Sequence, residues 1–274
     1  MVIKNPLLRF FKSVWVKFPS LNRPIWKLWY QYISGLDKEA SVVFMNYGFA
    51  DIDLNKKIKL KPVDEKDRYS IQLYHHVASV VDLKGKDLLE VGCGRGGGSS
   101  YIMRYLKPKS IVGADFSNKA IEFCKNHYSV KGLLFCIAAA ESLPFDDNKF
   151  DVVINVESSH CYMSMERFLS EVFRILKPCG YFILADFRYK KDINFLQKQL
   201  KHCGFELVTE ENITQNVLRS LDFDNKRKRL LIKEKVPKFF QNTFLEFAGT
   251  KGSGVYESFK TGEIEYFNFT LQKK

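Results

Sequence analysis

A chain of 274 residues can bury a full core without disulfide or metal staples. With 46% hydrophobic and 27% charged residues, a disordered or fibrous chain is excluded, and no apolar run approaches the ~18 residues of a membrane span. The excess of 43 Lys and Arg over 31 Asp and Glu, a net +12, requires an anionic partner or surface to be considered.

The six cysteines, at 93, 124, 136, 161, 179 and 203, form no CxxC and no zinc spacing, so no metal is expected. Without a secretory apolar region at the N-terminus they read as thiols of a reducing compartment, and a cytoplasmic protein, peripheral to a membrane at most, is expected.

In chain order, the first segment carries six basic residues (Lys4, Arg9, Lys12, Lys17, Arg23, Lys27) before the first acid, Asp37. Leu7, Phe11, Val14, Trp15 and Phe18 share one helical face, opposite Arg9, Lys12 and Lys17. After Pro19 and Pro24 a second stripe follows: Ile25, Leu28, Trp29, Tyr32 and Ile33. Such helices fit a lid over a site, a peripheral membrane contact of residues 1–35, or both, with a mitochondrial presequence as a further alternative. Residues 1–85 as a whole read as a helical extension.

Residues 86–186 alternate short apolar runs with helical periodicity. The runs are 87–91, 110–114, 133–137, 150–156 and 181–185, and Met165, Phe168, Leu169, Val172, Phe173 and Leu176 share a helical face capped by Ser164. This rhythm predicts a parallel, doubly wound, Rossmann-like α/β sheet. A helix over 192–203, a strand over 205–209, a long helical region over 214–248 and a last strand over 264–271 complete a domain of residues 86–274. A helical insertion at about 212–262 is expected to cover the substrate.

The first strand runs into Gly92-Cys93-Gly94-Arg95-Gly96-Gly97-Gly98, where glycine lets the backbone approach a ligand. The same letters satisfy GxGxxG, a weak signal for a dinucleotide. Glu90 stands at the strand end, two residues before the first glycine, where a pyrophosphate would be repelled, whereas the cationic S-adenosylmethionine would be welcome. Asp115, closing the second strand, can accept both ribose hydroxyls of either cofactor.

Glu90-Val91-Gly92-Cys93-Gly94-Arg95-Gly96 resembles motif I of the class I S-adenosylmethionine-dependent methyltransferases. Ala140-Glu141-Ser142-Leu143-Pro144-Phe145 with Phe150-Asp151-Val152-Val153, and Leu176-Lys177-Pro178-Cys179-Gly180-Tyr181, resemble their later motifs. Phe44-Met45-Asn46-Tyr47-Gly48-Phe49, Ile71-Gln72-Leu73-Tyr74-His75-His76 and Asn155-Val156-Glu157-Ser158-Ser159-His160-Cys161-Tyr162 resemble bacterial phthiotriol/phenolphthiotriol dimycocerosate methyltransferases and related polyketide or lipid O-methyltransferases. The resemblance implies a seven-stranded sheet, S-adenosyl-L-methionine as cofactor, and cofactor contacts from Glu90, Gly92, Cys93, Gly94, Asp115, Phe116, Ala140, Glu141 and Asn155. Arg95 meets the methionine carboxylate or faces solvent. Two positions depart from the family pattern: Ala139 replaces the acid that reaches adenine, leaving that contact to Glu141 or a carbonyl, and Cys179 stands where glycine is usual.

A hydroxyl acceptor needs a base, and imidazole suits that task. His160 follows strand four at the ligand-binding edge of the sheet, in a segment that carries the base in similar sugar and polyketide enzymes, and Asp186 at the end of strand five can orient it. A locally bonded histidine and an ordinary strand-end acid are the plainer alternatives. His75 and His76 read as core or cap residues, His127 and His202 as helix-surface residues.

The basic run Lys226-Arg227-Lys228-Arg229 reads as a solvated helix face. Nucleic acid is disfavoured, since the Asn/Asp-Pro-Pro-aromatic segment of base methylases is missing and Pro178-Cys179 lies in the wrong turn. The expected activity is methyl transfer to a hydroxyl of a small apolar polyketide- or lipid-like compound. The alternatives are an N- or C-methyltransferase of another metabolite or RNA, a dinucleotide-binding oxidoreductase, and a cofactor-binding protein without activity.

Overall fold

A computed structural model describes residues 42–51 and 58–274. The two amphipathic segments expected before residue 35 lie outside the described residues. Seven strands form one sheet in the order β3-β2-β1-β4-β5-β7-β6: β1 (Asp87–Val91), β2 (Ser110–Asp115), β3 (Leu133–Ile137), β4 (Phe150–Val156), β5 (Leu176–Tyr189), β6 (Phe205–Asn212) and β7 (Ile264–Lys273). β1 to β5 pair in parallel. The five strands of residues 86–186 are thus parallel as expected, and β7 enters between β5 and β6 antiparallel to both, which makes the seven-stranded sheet mixed. The chain leaves β6 through the helical insertion and re-enters at the same end of the sheet, the carboxyl end of β5, so β7 runs back against both neighbours.

The centre of the sheet is buried on both faces because its strands carry apolar residues at consecutive positions, while the edge strands β3 and β6 are partly exposed. Leu88, Ile111, Val152, Ile154 and Ile183 point into one cluster. There they meet α1 (Arg68–Ala78), α2 (Gly97–Tyr101), α3 (Asn118–His127), α6 (Thr214–Lys235) and α8 (Gly254–Thr261). Leu89, Val91, Val153, Phe182 and Leu184 point to the other face, against α4 (Met165–Ile175) and α5 (Lys190–His202). Ser164 caps α4 as predicted, its hydroxyl accepting the Arg167 N–H.

The helical region expected over 214–248 is divided into successive elements. α6 stops at Lys235 because Pro237 offers no N–H and biases Val236 to its extended φ of −107°. A 3₁₀ turn (Lys238–Phe240) and α7 (Gln241–Phe247) follow. Cys179 adopts φ +61°, which accounts for the glycine usual in this turn. No helix among the described residues is long and apolar enough to cross a membrane.

Candidate active site

The strand order reverses between β1 and β4, and a cleft of about 1100 Å³ opens over their carboxyl ends. Its floor is the loop after β1. The N–H groups of Gly92 and Cys93 donate to the Ala114 carbonyl (2.8 and 3.1 Å), and Gly92, Gly94 and Gly96 take φ of +78°, +52° and +74°. A Cβ on Gly92 would stand 2.3 Å from Ser158 Oγ and 3.0 Å from the Tyr162 hydroxyl. The Gly92→Ala enzyme is therefore expected to bind cofactor at least tenfold more weakly and to lose about 1–3 kcal/mol of stability, read by calorimetry and thermal unfolding. Unchanged binding would mean that the loop's tightness is incidental.

Of the residues singled out in the sequence, Gly92, Cys93, Gly94, Asp115, Phe116, Ala140 and Glu141 line this cleft. Asp115 is 8% exposed, and its two oxygens accept the N–H groups of Gly94 (2.9 Å) and Ser117 (2.8 Å). Burial raises its pKa, and the N–H groups of Ser117, Gly94 and Phe116 oppose the rise. Glu141 accepts the Met163 N–H (2.9 Å) and so tethers the wall beside Ala140, where the family acid is absent. Arg95 also lines the cleft and is 1% exposed, its guanidinium 3.8 Å from the Phe123 ring, which removes the solvent-facing alternative.

Glu90 and Asn155 stand behind the wall. Glu90 is fully buried, accepting hydrogen bonds from the Tyr74 hydroxyl (2.7 Å) and the Ser99 hydroxyl, and burial pushes its pKa up to about 6. It ties the base of the glycine loop to α1 and α2. Asn155 Nδ2 lies within 2.9 Å of the Val91 carbonyl and 2.8 Å of both Ser158 Oγ and Tyr162 Oη, a net that fixes the β1 and β4 ends together.

The opposite wall is the turn after β4, from which Glu157, Ser158, Cys161 and Tyr162 face the cleft. His160, whose side chain is 17% exposed, is not among the lining residues but adjoins Cys161. Its Nδ1 lies 2.8 Å from Asp186 Oδ1 and its ring lies against Phe187, centroids 4.4 Å apart. Asp186 also receives Ser159 Oγ (2.6 Å), the His160 N–H (3.0 Å) and Arg188 Nη1 (3.0 Å).

Burial alone would lower the imidazole's pKa. Cys161 and the Asp186 carboxylate, both beside the ring, outweigh burial and hold it up to about 10. Conversely, burial would raise the Asp186 carboxyl, but His160 and Arg188 hold it well below the usual carboxylate range.

Sequence reasoning missed the roof. Residues 43–46 line the cleft, and the strap they begin is tied down by Tyr47 N to Glu157, Phe49 N to the Tyr69 carbonyl and Ala50 N to the Asn216 carbonyl. The motif around Tyr47 was visible, but its partners lie up to 173 residues away. His75 binds the Tyr101 hydroxyl and His76 binds Glu211, structural duties both. The basic run on α6 is only partly solvated: Arg227 pairs with Asp224 and Asp67, and Lys228 Nζ reaches the Ala248 carbonyl (3.3 Å) because that turn faces inward.

A family model described as a methyltransferase domain matches residues 89–184. The phthiotriol/phenolphthiotriol dimycocerosates methyltransferase of Mycobacterium tuberculosis is 38% identical over 255 residues, covering 93% of this chain and 94% of that protein. A fatty-acid O-methyltransferase of Mycolicibacterium smegmatis is 36% identical over 247 residues, 90% and 89% of the two chains. Among solved structures, a geranyl diphosphate methyltransferase in complex with S-adenosylmethionine superposes with a TM-score of 0.61 at 14% identity, covering 84% of this chain and 99% of that one; this likeness concerns the fold alone. The cleft suits that cofactor, since the backbone from Gly92 to Gly94 and the buried Asp115 carboxylate both line it. The chain belongs to the phthiotriol/phenolphthiotriol dimycocerosates methyltransferase family, and it is an enzyme whose cofactor is S-adenosyl-L-methionine.

Proposed function

We propose that the enzyme methylates a hydroxyl of a small apolar, lipid- or polyketide-like compound, with His160 taking the hydroxyl proton and Asp186 holding the imidazole. The observation that carries this is the His160–Asp186 pair (2.8 Å) adjoining the cleft wall at Cys161. Phe187 packs against the imidazole with Tyr47 and Phe259 behind it, and Val43, Phe44, Met45 and Met163 in the cleft lining offer the apolar surface such an acceptor needs. Two relatives are named for a dimycocerosate and a fatty acid, which supports a lipid-like acceptor.

Asp115 would hold the ribose hydroxyls, the loop from Gly92 to Gly94 the methionine end, and Ala140 with Glu141 the adenine. Glu90 and Asn155 would keep that loop in place. When bound, the cofactor supplies an electrophilic methyl group on a sulfonium, and the protein's part is to align a nucleophile and accept its proton. Turnover against a panel of hydroxylated lipids tests this: a product heavier by one CH₂ is expected, and no product from any member would overturn it.

We propose in addition that residues 1–35 bring the acceptor from a membrane surface, since six positive charges there accompany Trp15, Trp26 and Trp29. Each basic residue near an anionic bilayer is worth about 1 kcal/mol. Co-sedimentation with anionic vesicles should weaken with salt without vanishing, and deletion of residues 1–34 should abolish it while cofactor still binds. Failure of the intact chain to bind anionic vesicles at low salt would leave these residues as a lid.

A further inference from the structure

Three carboxylates line the cleft: Asp115, Glu141 and Glu157. Asp115 closes β2, and Glu141 is spent on the Met163 N–H at the Ala140 end. Glu157 directly follows β4. Its backbone is held at φ +46°, a conformation side-chain-bearing residues rarely adopt, by its N–H donating to the Ala185 carbonyl (2.8 Å). Both carboxylate oxygens accept the Tyr47 N–H (2.9 and 3.2 Å) and the Tyr266 side chain also bonds the carboxyl, which leaves part of their capacity for a ligand.

β1 and β4 are neighbours in the sheet, Glu90 beside Ile154. A ligand laid from Asp115 across the glycine loop therefore meets the β4 end next. The neighbouring Ser158 Oγ, 2.3 Å from a Cβ built on Gly92, shows how closely that end abuts the loop.

S-adenosylmethionine differs from its product, S-adenosylhomocysteine, by one methyl group and one positive charge. In the transfer the carbon–sulfur bond breaks with its electron pair left on sulfur, the oxygen–carbon bond forms, and the hydroxyl proton passes to the protein. We propose that Glu157 is the counter-charge of the sulfonium: it ionises when the charged cofactor binds and regains a proton once the neutral thioether remains, so that it selects cofactor over product. The proposal rests on the methyl-transfer reading and adds a residue to it.

The surroundings supply the necessary poise. Burial pushes the Glu157 carboxyl up to about 8, with Asp186 of β5 adding to the rise, while the Tyr47 N–H, His160 and Lys228 of α6 pull it down. Tyr47 of the strap, Tyr74 of α1 and Tyr266 of β7 also face it, and burial keeps all three phenols neutral. Below about pH 8 the ligand-free carboxyl holds its proton, and a cation beside it favours release.

Calorimetry on the full chain at pH 7, in two buffers of different ionisation heat, measures this. Binding of S-adenosylmethionine should release up to roughly 0.9 proton more from the parent than from Glu157→Gln, whose amide keeps the Tyr47 hydrogen bond. The ligand's own ammonium titrates alike in both. In the variant, the preference for S-adenosylmethionine over S-adenosylhomocysteine should fall about tenfold or more.

In the parent, affinity for S-adenosylmethionine should climb from pH 6 to 8 and then level, while that for S-adenosylhomocysteine changes less; this series decides the matter even if the variant fails to fold. Equal proton release from parent and variant, or parallel pH profiles for the two ligands, would overturn the role of Glu157 and leave the cofactor assignment standing. Binding of neither ligand would overturn both.

Discussion

The His160→Ala enzyme is expected to lose roughly 10²–10⁴ in kcat while its affinity for S-adenosylmethionine stays within about twofold. The imidazole adjoins the cleft beyond the glycine loop, so the loss should fall on proton removal and spare cofactor binding. The sign of the pH dependence follows from its surroundings. Burial lowers the imidazole's pKa, but Cys161 and the Asp186 carboxylate beside it raise it to about 10. Only the neutral ring can accept a proton, so turnover should rise with pH from neutrality toward about 10 and show no plateau near the unperturbed value of about 6.5. The small neutral fraction at pH 7 is offset in part by the greater basicity of such a ring. The variant should lose this rising limb. If it keeps more than about a tenth of parental turnover, alignment of the hydroxyl suffices and His160 is not the base.

Asp115→Ala should weaken cofactor binding roughly ten- to a hundredfold, because removing a buried, charged hydrogen-bond partner costs about 1.5–3 kcal/mol. Asp115 also accepts the N–H groups of Gly94 and Ser117, so part of the loss comes from a loosened loop. Asp115→Asn, which retains one carbonyl oxygen, should fall between parent and Ala. Titration calorimetry beside thermal unfolding separates the contributions. Parental affinity in a folded Ala variant would refute the ribose contact.

The parallel strands were legible because each is a short apolar run, buried on both faces at the centre of the sheet and partly exposed only at the β3 edge. β5 extends past the expected 181–185 to Tyr189 because its ladder with β7 runs on after the apolar residues stop. The direction of β7 was illegible: an alternating strand has the same pattern whichever way it runs.

Within the site, the glycine turn and Asp115 declared themselves because their geometry is local. Glu90 was visible as an acid beside the loop, but its commitment to Tyr74 depends on a helix that precedes it in the chain. Glu157 stood in plain view in the motif after β4. Its significance lies in a positive φ and in a hydrogen bond to Tyr47, 110 residues away, and neither leaves a mark in composition or spacing. Lys228 was hidden differently, as one member of a basic run whose inward turn only the tertiary packing sets.

The most direct test of the central claim supplies the full chain with S-adenosylmethionine labelled in its methyl group and with hydroxylated long-chain acceptors, then follows the label by mass spectrometry. The label is expected in an alkali-stable methyl ether, with one S-adenosylhomocysteine formed per ether. Label recovered in an alkali-labile ester or on nitrogen, or none transferred although the cofactor binds, would contradict transfer to a lipid hydroxyl.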